Sequence, residues 1–351
     1  MNSSADRAST KIIRRLNQLL KLLPLSGKSK YFVKNLFKKI IDYSELKFLL
    51  LTRKAPLEIC FENIEGLTDF NFCIPLRSDK KGISAFIRAK NEEDKIHKCL
   101  MSIIDVFDEI VLVDNNSNDN TIHLAYRFKE KYDSDNKLKI FSYPFEMARF
   151  GSEYKEVPEN SIRNFTYFSN YAISLCTHRF VCKWDADMLF KQSKLSEFRD
   201  FYQKVDNANS DGVWNLYGQT VYRDSFDNFW LSQKEVYYEP RFFSLSYFNI
   251  YKKGKYFEIL ESPYLNLDFD VLWRNRDVAR PFVMRKSFSR PMFYELKFFS
   301  SDEFSHWTPS ESSHTPRKRK ELETFQLIAT GNIQSSALHS PIPESLLFVD
   351  S

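Results

Sequence analysis

Glu109-Ile-Val-Leu-Val-Asp-Asn-Asn-Ser-Asn-Asp-Asn-Thr121 runs from an apolar segment straight into a polar turn, and its surroundings decide how the chain is built. The stretch Glu109–Val113 reads as a buried strand, because it is short, apolar and rich in β-branched residues. The turn after it is almost wholly Asn and Asp, side chains that tolerate left-handed backbone and cap helices. Working backward, Ile83–Ile87 is a second short strand. Ile96, Cys99, Leu100, Ile103 and Ile104 then share one face of a helix, with Glu92, Glu93 and Asp94 expected in its first turn, where carboxylates complement the helix dipole. Working forward, the pattern predicts a helix over 121–132, a strand over 138–141, a loop over 143–160, a helix over 161–176 and a strand over 179–184 that ends in Asp185-Ala-Asp187. Strand and helix alternating in this way predict an α/β fold with a doubly wound, mostly parallel sheet. Beyond residue 211 the helix rhythm fades. Residues 213–221 and 241–248 read as aromatic-rich strands, 268–278 as a helix, and 308–320 as loop or tail with a short amphipathic piece at 322–328.

Chemistry concentrates at the strand ends. In doubly wound sheets, ligands bind beyond the carboxyl ends of the strands, where the strand order reverses. Asp114 directly follows one strand, and Asp185 and Asp187 follow another, so these carboxylates are expected to converge on one cleft. Two carboxylates one residue apart on a turn suit a hard divalent cation, Mg2+ or Mn2+, which bridges the phosphates of a nucleoside diphosphate. A Gly-rich phosphate loop is absent after the first strand, where the chain has Arg88-Ala-Lys-Asn91. The 6 His show no ligand spacing, so they are read as structural or solvated.

Taken in order, Ile83-Ser-Ala-Phe-Ile-Arg-Ala-Lys-Asn-Glu-Glu93, Cys99-Leu-Met-Ser102, Phe107-Asp-Glu-Ile-Val-Leu-Val-Asp114 and Ser117-Asn-Asp-Asn-Thr121 resemble the opening of family 2 glycosyltransferases. Ser161-Ile-Arg-Asn164 resembles the Arg-Asn element of that family, and Asp185-Ala-Asp187 falls at its metal motif. The resemblance covers roughly residues 82–190 and implies the GT-A fold. It implies a metal-dependent, inverting transfer of a sugar from a nucleotide-diphosphate sugar, with a UDP-type donor favoured. The implied acceptor is a glycan or lipid-linked molecule, in a bacterial surface polysaccharide or lipopolysaccharide pathway. Residue by residue, it implies that Asp114 accepts a hydrogen bond from the base and that Asn91 lies near the same moiety. Arg163 would help hold the donor near its phosphates, Asp185 would face the ribose or the metal, and Asp187 would be the principal metal ligand. For the general base the acceptor half offers Asp268, Asp270, Glu239 and Glu261, of which Asp268 is the first choice. Asn266 stands where some relatives have a His. Two rival readings share the sheet: a sugar nucleotidyltransferase, and a non-catalytic nucleotide-sugar-binding protein.

Charge divides the chain. Residues 1–54 carry 13 Lys and Arg against 3 acids, so a net charge of +5 splits into a strongly basic arm and a mildly acidic body. Within residues 11–41, apolar stripes (Ile12, Ile13, Leu16, Leu19; then Phe32, Leu36, Phe37, Ile40) recur at helical spacing. Two basic amphipathic helices are expected, meeting an anionic membrane surface, the body or a second subunit. Base-stacking or base-reading motifs are missing around the basic residues, so no nucleic-acid partner is expected. The domain reading is a helical extension over 1–54, a linker or edge segment over 55–81, a catalytic domain over 82–300 divided near 190, and a partly disordered tail over 301–351. With 5 Cys and no C-x-x-C pair, reduced thiols are expected. No run approaches the roughly 18 apolar residues of a spanning helix, and the expected location is cytoplasmic, peripheral at the inner face of the cell membrane.

Overall fold

A two-stranded antiparallel ribbon, β1 (Glu58–Phe61) with β2 (Phe72–Pro75), precedes the α/β half. That half runs β3 (Ile83–Ala89), α1 (Ile96–Ile103), β4 (Glu109–Asp114), α2 (Thr121–Tyr132), β5 (Leu138–Ser142), the short α3 (Ser152–Glu156), α4 (Phe165–Ser174) and β6 (Phe180–Asp185). Next come β7 (Met188–Phe190), α5 (Leu195–Asn207), and the long antiparallel partners β8 (Val213–Arg223) and β9 (Phe229–Ser244). The small pair β10 (Ile250–Lys253) and β11 (Glu258–Glu261) follows, then β12 (Phe293–Phe298) and β13 (His339–Ile342). The computed structural model describes residue 18 and residues 56–209, 211–223, 229–254, 257–262, 291–298 and 339–342. Apart from residue 18, the helices expected within 11–41 lie outside them, as do the helix expected over 268–278 and the amphipathic piece at 322–328.

The main sheet is ordered β5-β4-β3-β6-β9-β8-β12-β7, with β13 on β9. β5, β4, β3 and β6 are parallel, and β6–β9 and β9–β8 are antiparallel. The doubly wound half is therefore as the alternation predicts, and it continues into a mixed half. Sequence period explains why β3 and β4 lie inside the parallel half. Ala85, Ile87, Ile110 and Leu112 bury one face under α1 and α2, while Phe86, Val111 and Val113 bury the other under α4. Strands covered on both faces need apolar residues at nearly every position, which is how β3 and β4 read. Gly82 turns the chain into β3 at φ +126°, where an added Cβ would lie 2.5 Å from the His178 ring.

The structure departs from the sequence reading in particulars. No acid lies in the first turn of α1. Glu92 pairs instead with Lys95, the residue that opens α1, at 2.6 Å, and Glu93 accepts from the Asn120 amide of the facing turn at 2.9 Å. Helix α5 is an element the sequence reading did not assign, and β13 falls within the stretch read as tail. Cys60 and Cys73 are joined in a disulfide, which corrects the expectation of reduced thiols throughout. Their 13-residue separation has no motif, yet β1 and β2 place them opposite one another in register. Cys99, Cys176 and Cys182 are buried free thiols, and burial pushes all three up in pKa. No helix among the described residues is long and apolar enough to cross a membrane.

Candidate active site

Strand register brings the carboxylates together. The chain goes from β3 outward through β4 to β5, then returns to lay β6 on the other side of β3, so the strand order reverses at the β3/β6 boundary. At the carboxyl end of β3, Ala89 pairs with Asp114 of β4 and Arg88 pairs with Asp185 of β6. Asp114 and Asp185 thus flank one strand end, two strand spacings or roughly 10 Å apart. Asp187 follows on the turn between β6 and β7. The buried Trp184 indole fixes that turn by donating to the Met188 carbonyl at 3.2 Å. The Asp187 carbonyl accepts from the Leu296 amide at 2.8 Å, which ties the turn to β12.

The Asn-Glu element after β3 and the Asn/Asp turn after β4 are stitched to each other. The Asn91 amide donates to Ser117 Oγ at 2.9 Å, and Asn91 Oδ1 accepts from the Asn118 amide at 2.9 Å. The Glu92 amide donates to Thr121 Oγ1 at 2.6 Å, and the Glu93 amide to Asp119 at 3.1 Å. Asn91 and Asn116 hold φ of 57° and 56°, left-handed backbone that Asn accepts more readily than most residues. Asp114, buried at the root of this clamp, accepts from the Ser117 amide at 3.2 Å.

Asp185 lies in a charge network. Arg241, on β9 and 2% exposed, pairs with Asp185 Oδ2 at 2.7 Å and with Glu239 at 2.9 Å. Lys183 lies 3.8 Å from Asp185 and 4.0 Å from Glu239. Burial works against the Asp185 charge, but Arg241 first, then Lys183 and Arg88, hold its carboxyl far below the ordinary range. Arg88 is itself held by Glu258 at 3.0 Å and by Ser169 at 2.6 Å.

The other expected residues are placed differently. Arg163 is half exposed and pairs with Glu153 of α3 at 2.8 Å, making no ion pair with Asp114, Asp185 or Asp187. Its neighbour Asn164 is fully buried as the N-cap of α4, accepting from the Thr166 amide at 2.9 Å. Glu239 joins the site, although as a partner of Arg241. Asp268 and Asp270 lie outside the described residues, and Glu261 is exposed on β11. The stretch Glu239-Pro-Arg-Phe-Phe243 resembles an acid-x-Arg-aromatic element of some family 2 members, but sequence reasoning gave Arg241 no role of its own and did not assign Glu258. A second polar cluster also went unread: Ser84, Glu109, Thr177 and His178 meet at the opposite, amino ends of β3, β4 and β6. Ser84 donates to Glu109 at 2.6 Å there, so its hydroxyl serves the carboxylate in a closed, buried cluster.

A strand-end Asp, a clamped Asn/Asp turn and a second strand ending in Asp-x-Asp form an ordered set that can be compared with known proteins. Residues 84–146 match Glycosyl transferase family 2. The family 2 match takes in Asn91, the whole clamp and Asp114, and ends before Arg163 and Asp185. Curated relatives named as uncharacterized glycosyltransferases occur in Rickettsia typhi and Rickettsia prowazekii, 47% and 44% identical over 45 residues. Those residues are 13% of this chain, which spans 15% of the length of each relative. Among solved structures, S. aureus TarS 1-349 aligns at a TM-score of 0.28 and 20% identity, covering 40% of this chain and 36% of its own. A glucosyl-3-phosphoglycerate synthase from Mycobacterium tuberculosis, solved with Mn2+, UDP-glucose and phosphoglyceric acid, aligns at 0.24 and 19% identity, covering 41% and 44%.

Proposed function

We propose that this protein is a glycosyltransferase that moves a sugar from a nucleotide-diphosphate sugar to a glycan or lipid-linked acceptor with the help of a divalent cation. The observation that carries this reading is the register at the switch point, Ala89 with Asp114 and Arg88 with Asp185, within and beside the family 2 match. Asp114 is an acceptor suited to an N–H of the base, with uracil favoured. Arg88, Lys183 and Arg241 offset the charges of Asp185, Glu239 and Glu258 beside the crevice, which lessens the repulsion that a diphosphate would meet there. The donor set fits the cation: Asp187 offers hard carboxylate oxygens on a half-buried turn, leaving further positions for phosphate oxygens and water. When bound there, Mg2+ or Mn2+ supplies neutralisation of the charge that develops on the departing diphosphate. Asp185, held by Arg241, faces the ribose side of the donor. Attack by the acceptor hydroxyl needs a carboxylate to take its proton. Glu239 shares its charge with Arg241, so Asp268 and Asp270 are the candidates for that step. An acceptor of surface polysaccharide or lipopolysaccharide type suits an enzyme with a basic amphipathic arm.

The test is donor hydrolysis across a panel of nucleotide sugars, with Mn2+ and with EDTA. Turnover of a UDP-sugar is expected, lost in EDTA, and lowered by at least about a hundredfold in Asp187→Asn with the fold intact, as several kcal/mol of transition-state stabilisation requires. Full activity in EDTA, or an Asp187→Asn protein within about threefold of wild type, overturns the metal role.

A further inference from the structure

We propose that Arg241 is a positioning residue of the donor site, acting through Asp185. This rests on the donor-site reading above. Arg241 is 2% exposed, whereas the Asp185 side chain is 29% exposed, so a ligand in the crevice meets the carboxylate and not the guanidinium. The guanidinium spans two carboxylates on two strands, Asp185 Oδ2 at 2.7 Å and Glu239 at 2.9 Å, and its Cζ lies over the Phe293 ring of β12, 5.4 Å from the ring centre. Three strands, β6, β9 and β12, therefore fix its direction. With Oδ2 taken, Oδ1 is the oxygen of Asp185 available to a ribose hydroxyl, and it lies 3.8 Å from Lys183. A carboxylate fastened by one oxygen cannot rotate without breaking a buried ion pair, and such breakage is costly because it strands the partner charge. Glu239 acquires a reason to be where it is: it balances the second arm of the guanidinium fork. A lysine cannot reproduce this, being a point charge without the planar fork.

Binding of UDP with Mn2+, measured by titration calorimetry on the full chain, tests the idea. Arg241→Met and Asp185→Asn are each expected to raise the UDP Kd about tenfold, as loss of a hydrogen bond to a charged group does. If Arg241 acts only through Asp185, the double variant also sits near about tenfold and not near the product, about a hundredfold. Arg241→Lys keeps a cation in the site, so it protects the fold, and it is expected to weaken UDP by about threefold or more. The comparator is Arg179→Met. Arg179, itself buried, pairs with Asp206 at 2.8 Å, but at the amino end of β6, away from the crevice. That variant should melt lower than wild type while its UDP Kd stays within about twofold, which separates positioning from general destabilisation. UDP affinity within about twofold of wild type in both Arg241 variants overturns the proposal, as do effects that multiply in the double variant. A wild-type protein that fails to bind UDP overturns the donor-site reading itself and the positioning role with it.

Discussion

Glu109 enters β4 with only 8% of its side chain exposed, and burial alone would push its carboxyl upward. The nearby His178 ring, at 3.6 Å, and hydrogen bonds from Ser84 and the Thr177 amide and hydroxyl outweigh this and hold it down at about 2, against an ordinary 4.5. The unfolded chain then binds the proton more readily than the folded one. Stability from Glu109 is complete above about pH 4.5 and is lost as the pH falls through about 2. Glu109→Gln is expected to cost about 2 kcal/mol near neutral pH and to flatten the acid limb of the melting temperature against pH. Melting curves that coincide with wild type down to about pH 3 would remove the cluster from any stabilising role. Asp114 poses a question of binding. On the proposed reading it would accept from an N–H of the base. Asp114→Ala is expected to weaken UDP by about 1.5–3 kcal/mol, and unchanged nucleotide affinity by calorimetry counts against the base contact.

At the scale of elements, α4 shows how one side chain serves two bonds. Asn164 Oδ1 caps the helix by accepting from the Thr166 amide, and its Nδ2 donates to the Val157 carbonyl at 3.0 Å. Asn164→Ala should cost about 1–2 kcal/mol, and Asn164→Asp should recover the cap but not the second bond. Chemical denaturation of the two variants distinguishes them, and equal losses would show that the cap contributes nothing. The same helix shows what sequence can and cannot convey. Its apolar period was legible, as were β3, β4 and β6 with their terminal carboxylates, because local pattern alone determines those. Asn164 as a cap was not, since the Arg-Asn pair reads equally as a donor contact until the chain before it is placed. Arg241 was legible only in part: Glu239 two residues before it on the same strand is a local partner, whereas Asp185 meets it only after β9 has come to lie antiparallel beside β6. The disulfide of β1 and β2 depended likewise on register, and the Ser84–Glu109–His178 cluster on three strand starts widely separated in the chain. Contacts of long sequence separation leave no local period to read.

The whole molecule adds an electrical asymmetry that no single element contains. Residues 1–54 carry 13 basic side chains against 3 acidic ones, while the chain as a whole has a net charge of only +5. An enzyme whose acceptor is anchored in lipid gains from being held where that acceptor is concentrated. Each basic residue near an anionic surface contributes about 1 kcal/mol, a term that salt screens within a Debye length. The apolar stripes within 11–41 add burial at the headgroup boundary, which salt does not weaken. The ribbon that follows the arm supplies a competing apolar surface, since Leu57, Ile59, Ile64 and Leu67 are all exposed there. The two outcomes differ in their response to charge. Binding of the full chain to anionic vesicles is expected at low salt and should fall steeply at high salt. It should also weaken when Lys34, Lys38 and Lys39 are changed together to Glu, while neutral vesicles retain little protein. Flotation reads all three. Protein that stays in the soluble fraction at both salt concentrations would mean that the stripes meet protein, and the membrane role would then be wrong.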